Sequence, residues 1–157
     1  MKILKITIKS QLKHLKLTFL VFIALCFWFF IDYYYYKQGI GIYLIGYAII
    51  TILPVWLIHT QYLIKNLGVR LIPISIDSFY YVQNGHDKTI EYEDILKVEK
   101  IICSTSHEFY NITADYFYHQ ITLQNGEKII LTCLLAEELP IKVEDIIEKK
   151  RFYPFIK

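Results

Sequence analysis

The stretch LTFLVFIALCFWFFI, residues 17–31, contains no charged side chain and decides what kind of protein this chain is. With 15 residues it is shorter than the roughly 20 apolar residues that cross the hydrocarbon core of a bilayer. Extended to Leu12 on one side and to Tyr36 on the other, it becomes long enough. The sequence therefore predicts a first transmembrane helix over residues 12–36, preceded by a cytoplasmic segment at residues 1–11.

Residues at both ends of this apolar stretch suit a membrane surface. Lysines precede it, and a long lysine side chain can extend its amine to water while its stem stays in lipid. Four consecutive tyrosines follow it, and tyrosine at the end of a span places its ring in lipid and its hydroxyl in water. The predicted membrane-interface residues are Lys13, Lys16, Tyr33, Tyr34, Tyr35, Tyr36 and Lys65.

A second run without Asp, Glu, Lys or Arg extends from Gly39 to Ile64 and predicts a transmembrane helix over residues 40–64. At a rise of about 1.5 Å per residue it crosses a bilayer with some tilt. Pro54 is expected to kink this helix, which membrane helices tolerate. Only residues 37–39 separate the two spans, so we expect a helical hairpin with a tight periplasmic turn.

Charges are distributed unevenly along the chain. Residues 1–69 hold seven lysines and one acid, whereas residues 70–157 hold 10 bases and 14 acids. Five lysines precede the apolar stretch at residues 17–31, and Lys65 and Arg70 follow the second span. The positive-inside rule then places both termini in the cytoplasm. A cleaved signal peptide and a buried hairpin of a soluble protein are the competing interpretations, but no small-residue cleavage site follows the first apolar stretch.

From residue 66 the sequence changes to short apolar runs separated by turn signals. Asn84-Gly85 and Asn125-Gly126 are strong hairpin turns, because both central residues of such turns take positive φ. We expect one cytoplasmic domain over residues 66–157. The predicted strands are 69–76, 78–83, 88–92, 96–103, 116–124 and 127–133.

The end of the chain has a different period. Leu139, Ile141, Val143, Ile146 and Ile147 fall near helical spacing. Pro suits a first helical turn, as at residue 140, and cations suit a last turn, as at residues 149–151. The sequence therefore predicts a C-terminal amphipathic helix, and with the strands an α+β, PH-like half-open β-barrel closed by that helix.

A family resemblance follows from these elements together. The two N-terminal membrane helices, the stretch TIEYEDI at residues 89–95, the stretch ITLQNGEK at residues 121–128 and a closing helix resemble the YcxB-like and related bacterial PH-like membrane proteins. The resemblance covers about residues 2–150. It implies a PH-like domain without catalytic residues, and some members of the family look like immunity proteins of bacterial toxin systems.

Residues able to perform chemistry are present without the spacing that chemistry requires. Zinc sites usually contain close pairs such as Cys-x2-Cys, whereas the nearest candidates are Cys103 and His107. We expect Cys103 and Cys133 to be buried strand thiols and His107 and His119 to be surface imidazoles. The serines of residues 104–106 lie beside His107 and Glu108, but no strained elbow marks a nucleophile. The sequence therefore predicts no enzyme activity, no metal and no cofactor.

His59 is the one ionisable side chain within the second span, and Asp32 lies at the end of the first. An ionisable group inside a membrane is a candidate for a proton or transport role. The alternative for His59 is an ordinary imidazole near the cytoplasmic surface, and Asp32 is expected at the other surface. The acidic domain disfavours nucleic acid, which requires clustered cations. Membrane lipid and a protein are the expected partners.

Residues 3–9 alternate in a way that predicts a strand, with Ser10 as the N-cap of the first membrane helix. A free basic tail is the alternative. Because a hairpin returns the chain to the side where it entered, we expect this strand to pair with an edge of the cytoplasmic sheet.

Three functions remain open on the sequence alone. The first is a membrane-tethered interaction module without catalysis, whose acidic surface favours a basic protein partner. The second is an immunity protein that neutralises a bacterial toxin at the inner membrane. The third is a subunit of a small channel or transporter, for which two spans supply too few walls unless the chain forms a homo-oligomer.

Overall fold

The computed structural model describes residues 3–36, 41–83, 85–104, 112–140, 142–143 and 145–156, with only the backbone of Tyr36. Two long helices come first, and seven strands in two sheets follow. The predicted turn at residues 37–39 lies outside the described residues.

The first helix, α1, begins earlier than predicted. It extends over Ile8–Ile31 and continues as one π-helical turn at Asp32–Tyr36. Its N-cap is Thr7, whose side chain accepts a hydrogen bond from the Ser10 backbone at 3.1 Å. The prediction of Ser10 as N-cap is therefore wrong, because Thr7 and Ser10 form a capping box three residues apart.

The second helix, α2, extends over Gly41–Lys65 with Pro54 inside it. Both helices are long and apolar enough to cross a membrane. Of their most apolar 18-residue windows, 17% and 22% are buried inside the protein. A helix that is hydrophobic on all sides in a soluble protein is normally buried in its core. These two helices are strongly hydrophobic but mostly exposed.

The first sheet is a three-stranded antiparallel meander of β1 (Arg70–Pro73), β2 (Ser78–Gln83) and β3 (His86–Glu91). Gly85 takes a φ of +81°, which allows the tight turn between β2 and β3. A short 3-10 turn at Tyr92–Asp94 leads into the second sheet.

The second sheet contains β4 (Ile95–Cys103), β5 (Phe117–Leu123), β6 (Lys128–Thr132) and β7 (Ile146–Arg151), in the order β6-β5-β4-β7. The β5–β6 hairpin turns at Gly126, which takes a φ of +84°. All six predicted strands are present, with ends shifted by at most three residues.

The predicted C-terminal helix is wrong. Residues 146–151 form β7, which pairs in parallel with β4 from Val98–Ile146 to Cys103–Arg151. The outer edge of β4 has backbone groups that need partners, and β-branched Ile146 and Ile147 suit a strand. The apolar residues that suggested a helix serve another purpose: Leu139 and Val143 pack against the core from a segment without regular secondary structure.

The predicted N-terminal strand is reduced to a single bridge. Leu4 exchanges two backbone hydrogen bonds with Leu71, both at 2.9 Å, and α1 begins four residues later. Leu4 and Ile6 pack against the buried interior. The prediction of a strand over residues 3–9 is thus wrong in extent, whereas the expected attachment to the sheet edge is present at Leu4.

Two buried clusters organise the molecule. The first, here called the sheet core, lies between the two sheets and consists of Val69, Leu71, Phe79, Ile90, Val98, Ile121, Leu123, Ile129, Leu131, Leu135 and Ala136. The second, here called the junction core, lies where both helices meet the second sheet and consists of Leu15, Val55, Ile58, Tyr62, Ile101, Tyr116, Tyr118, Ile130, Cys133 and Leu134.

Candidate functional site

The helices contact the sheet through one face each. In α1 the buried residues are His14, Leu15 and Thr18, and in α2 they include Val55, Ile58, His59 and Tyr62. Spacings of three and four residues place such side chains on one side of a helix. The ends of both helices nearest the sheet therefore belong to the folded domain.

Tyr116 is the centre of this junction. Its hydroxyl lies 2.9 Å from Nδ1 of His59, and its ring lies 5.5 Å from the ring of His14 and 5.8 Å from that of Tyr62. Burial raises the pKa of the Tyr116 phenol well above its usual range, so the hydroxyl stays neutral. Two helices and the start of β5 thus meet at one aromatic residue.

Asn66 connects the end of α2 to β6. Its Nδ2 donates to the Ile130 carbonyl oxygen at 2.8 Å, and its Oδ1 accepts from the Thr132 backbone N–H at 2.8 Å. The side chain is fully buried. Because the Asn66 amide makes two hydrogen bonds to the same strand, it fixes both the distance and the orientation of the end of α2 relative to β6.

The C-terminal segment contacts α2 in the same region. Gln61 donates to the carbonyl oxygen of Ile156 at 2.7 Å and accepts from its N–H at 2.9 Å. At the next residue of α2, the Tyr62 hydroxyl donates to the Pro154 carbonyl oxygen at 2.7 Å. Residues 154–156 therefore hold α2 from a second side.

Contacts of α1 with the sheet domain are fewer. The Ser10 hydroxyl donates to the Leu134 carbonyl oxygen at 2.9 Å, and Lys13 pairs with Glu137 at 2.5 Å. The hydrogen bond from Lys13 lowers the pKa of the Glu137 carboxyl. Both partners of this ion pair are largely exposed, so its contribution to stability is small.

The predicted membrane-interface residues lie in different environments at the two ends of the helices. Lys13 is held by Glu137 instead of extending along the helix surface, while Lys16 and Lys65 are exposed. Tyr33, Tyr34 and Tyr35 are exposed at the far end of α1, and the side chain of Tyr36 lies outside the described residues.

Asp32 and His59 differ from the surface groups that the sequence suggested. Asp32 is buried and accepts a hydrogen bond from the Gly41 N–H at 2.9 Å, which joins the ends of the two helices. His59 is buried against Tyr116 instead of lying exposed at the surface. The proposed proton or transport role of His59 stays a prediction.

The described Cys, His, Asp and Glu side chains do not come together in a metal-binding cluster. Within the described ranges there is no group of three or more His, Cys, Asp and Glu side chains that could hold a metal. His119 is buried rather than exposed, and burial lowers its pKa to about 4. Burial raises the pKa of the Cys133 thiol to about 12. His107, Glu108 and their neighbours lie outside the described residues.

The sheet domain has an apolar and acidic surface at the end opposite the junction. A groove of about 600 Å³ lies between residues 73–76 on one side and Leu139, Pro140 and Lys142 on the other. Ile76 is 69% exposed beside it, and the Asp77 carbonyl oxygen accepts from the Tyr92 N–H at 2.7 Å, which brings two acidic turns together. This surface, here called the distal patch, comprises Ile74, Ile76, Asp77, Glu91, Tyr92, Glu93 and Asp94.

The sequence predicted neither the junction nor the distal patch. Tyr116 and His59 are 57 residues apart in the chain, and Asn66 and Thr132 are 66 apart. A local signal was present in each helix as a histidine near its sheet-domain end, His14 in α1 and His59 in α2.

A protein-family model described as a PH domain matches residues 3–143 of the chain. The matched region includes both helices and strands β1 to β6, and it ends before β7. No curated protein matches the chain, and no solved structure does. The match agrees with the predicted PH-like domain, whereas the narrower resemblance to YcxB-like proteins stays a prediction.

Proposed function

The chain belongs to a PH domain family, and on that premise we propose that it is a membrane-anchored, non-enzymatic module that presents its sheet domain to a protein partner in a fixed orientation. PH-like domains are typically protein- or lipid-interaction modules without catalysis. The junction around Tyr116 carries this proposal, because it joins the apolar helices to the domain through buried contacts instead of a flexible linker.

The pattern of exposure along the helices supports membrane anchoring. Large apolar side chains are exposed from Leu17 to Tyr35 on α1 and from Ile42 to Leu57 on α2. The stretch from Leu17 to Tyr35 is roughly 28 Å long as a helix, close to the ~30 Å hydrocarbon thickness. We therefore place the membrane segments at 17–35 and 41–57. They are shorter than 12–36 and 40–64, since the sheet domain packs against one face of the remaining turns.

The direction of insertion follows from the lysines. Lys16 and Lys65 both lie at the sheet-domain ends of their helices, together with the basic residues before α1. Cytoplasmic loops carry such an excess of lysine and arginine. We propose that the domain and the ends of α1 and α2 nearest to it lie in the cytoplasm of a bacterial inner membrane.

The partner is proposed to bind the distal patch. Apolar Ile74 and Ile76 lie exposed there among four exposed acids and beside one exposed cation, Lys142, so the charge of the described patch is negative on balance. Charge complementarity then favours a basic protein segment with an apolar side, and it disfavours anionic lipid. An immunity protein is the special case in which this basic partner is a toxin.

The channel hypothesis has less support. The groove between α1 and α2, of about 450 Å³, is lined by Cys26 and apolar side chains such as Phe22, Phe29 and Trp56. An ion path requires oxygen ligands or charged rings. The described lining of this groove supplies neither, which favours an anchor.

Site-specific photo-crosslinking in cells tests the proposed function. A benzophenone amino acid replaces Ile76, and in a matched control it replaces Leu67, which is 65% exposed but lies in the turn after α2. We expect one adduct from position 76 only, which disappears when Glu91, Glu93 and Asp94 are changed together to Lys. An adduct that survives this charge reversal, or no adduct at position 76, contradicts the proposal.

A further inference from the structure

Residues 150–156 form a basic and aromatic segment that contacts α2 just beyond the end of its exposed apolar stretch. Strand β7 runs parallel to β4, and the Arg151 carbonyl oxygen accepts from the Ser104 N–H at 2.6 Å. The Arg151 side chain then donates to the Phe155 carbonyl oxygen at 3.2 Å, which turns the chain toward α2. This segment, residues 150–156, is here called the C-terminal clamp.

The depth of the clamp follows from its bonds to α2. Ile156 is held by Gln61, which lies four residues beyond Leu57. Four residues of helix correspond to about 6 Å. The headgroup layer, taken as the difference between a ~30 Å hydrocarbon core and a 40–45 Å bilayer, is roughly 5–7 Å thick on each side. If α2 leaves the hydrocarbon at Leu57, Ile156 lies at headgroup depth.

The side chains of the clamp fit that depth. Phe152 is 69% exposed, and its ring lies 4.7 Å from that of Tyr153, which in turn lies 5.9 Å from that of Phe155. Aromatic residues are enriched at the membrane surface. In a soluble domain, an exposed phenylalanine beside two further aromatic rings would leave an apolar surface in water.

The charge of the C-terminal clamp also favours contact with the membrane surface. Lys149 is engaged by Glu99 at 2.7 Å, whereas Lys150 is exposed and has no ion pair among the described residues. Lys16 lies one residue before the exposed apolar stretch of α1, at a similar depth. The distal patch, by contrast, is acidic. Lys150 and Lys16 thus place exposed positive charge on the membrane side of the domain, and the cytoplasmic leaflet is anionic.

We propose that the C-terminal clamp is a third membrane contact, in which Phe152 enters the headgroup layer and Lys150 binds anionic lipid headgroups. This inference rests on the proposed membrane anchoring. It assigns a lipid-binding surface to residues beyond the region that matches the PH domain family. Together with the two membrane segments of α1 and α2, this third contact fixes the orientation of the domain relative to the plane of the membrane.

Fluorescence quenching of the full chain in vesicles tests the contact. Phe152→Cys and Leu96→Cys, each with Cys26→Ser, are labelled with an environment-sensitive dye; Leu96 is 65% exposed at the far end of β4. Vesicles contain phosphatidylcholine with or without phosphatidylglycerol, and a lipid with a nitroxide headgroup is the quencher. We expect quenching at position 152 to be roughly double that at position 96, and to rise further with phosphatidylglycerol.

The native tryptophans separate the two proposals. Trp28 and Trp56 lie in the proposed membrane segments, and acyl-chain nitroxides should quench them. If they are quenched while position 152 behaves like position 96, the clamp inference is overturned and the anchoring stands. If the tryptophans are not quenched, the anchoring fails and the clamp inference with it. Lys150→Gln should abolish the increase with phosphatidylglycerol, and an unchanged increase contradicts the assignment of Lys150.

Discussion

The two buried clusters of this protein are built from different side chains. The sheet core is apolar throughout, and its fully buried members include Leu71, Phe79 and Ile121. The junction core contains three tyrosines and is bordered by His59 and Asn66, whose polar atoms bind specific partners. Apolar burial is non-directional, whereas hydrogen bonds require defined angles. The comparison teaches that the first cluster stabilises the domain and the second orients it.

Removing a large side chain from the sheet core should have the largest effect. Phe79→Ala leaves a cavity under both sheets, since Phe79 is fully buried, and should lower the free energy of unfolding by about 3–5 kcal/mol. Urea unfolding of the full chain in detergent measures this. Leu96→Ala, at an exposed position, is the matched control and should remain close to wild type. Equal stabilities of the two variants would show that Phe79 is not part of a packed core.

Acidification should weaken the sheet domain through His119. Its pKa of about 4 lies below the ordinary value because burial and then Lys100 disfavour the charged ring. The unfolded chain binds the proton near pH 6.5, so stability is complete above that pH and is lost as the pH falls toward 4. The loss reaches roughly 3 kcal/mol.

Urea midpoints at a series of pH values measure this loss. His119→Gln removes the titrating ring and keeps a polar side chain, so its curve should be flatter between pH 6.5 and 4. Parallel curves for wild type and variant would mean that His119 is not buried in its neutral form.

Loss of Asn66 should affect the junction more than the sheets. Asn66→Ala leaves the Ile130 carbonyl oxygen and the Thr132 N–H without their partner, which costs roughly 1–3 kcal/mol. We expect amide exchange to accelerate at the end of α2 and in β6, while the β2–β3 hairpin keeps its protection. Gln83→Ala is the control, because this side chain reaches the end of α2 only through a 3.5 Å contact with the Lys65 carbonyl oxygen and otherwise accepts from the Tyr81 hydroxyl within β2 at 2.6 Å. Uniform acceleration across both sheets would contradict a separate junction.

The smallest effect is expected at the exposed contact of α1. Lys13→Ala removes the ion pair with Glu137, but water and salt screen both side chains. The urea midpoint should stay within error of wild type, as for the control Lys16→Ala. A clear shift for Lys13→Ala alone would mean that the ion pair contributes to the orientation of α1.

The sequence was informative where structure is local. Alternating side chains and Asn-Gly turns predicted β2, β3, β5 and β6, because hairpin partners are adjacent in the chain. The capping box of Thr7 and Ser10 is also a local signal, and its register was misassigned by three residues. The uncharged apolar runs of both helices were equally clear.

Long-range contacts account for the errors. Strand β7 pairs with β4 across more than forty residues, and nothing near Ile146 indicates that a parallel edge is available to it. The apolar spacing of residues 139–147 therefore favoured a helix. Likewise, the sequence around His59 contains no sign of Tyr116. A single intramembrane histidine suggested chemistry, whereas the structure pairs it with a buried phenol.

A distance measurement tests the fixed orientation most directly. Tyr43 on α2 and Leu96 on β4 are both exposed, and as Tyr43→Cys and Leu96→Cys in a Cys26→Ser background they accept spin labels. The full chain in lipid nanodiscs is studied by double electron–electron resonance. A domain held by the junction core gives one narrow distance distribution, which broadens in Asn66→Ala. A broad distribution in the otherwise unchanged chain, as from a flexible tether, would contradict the account.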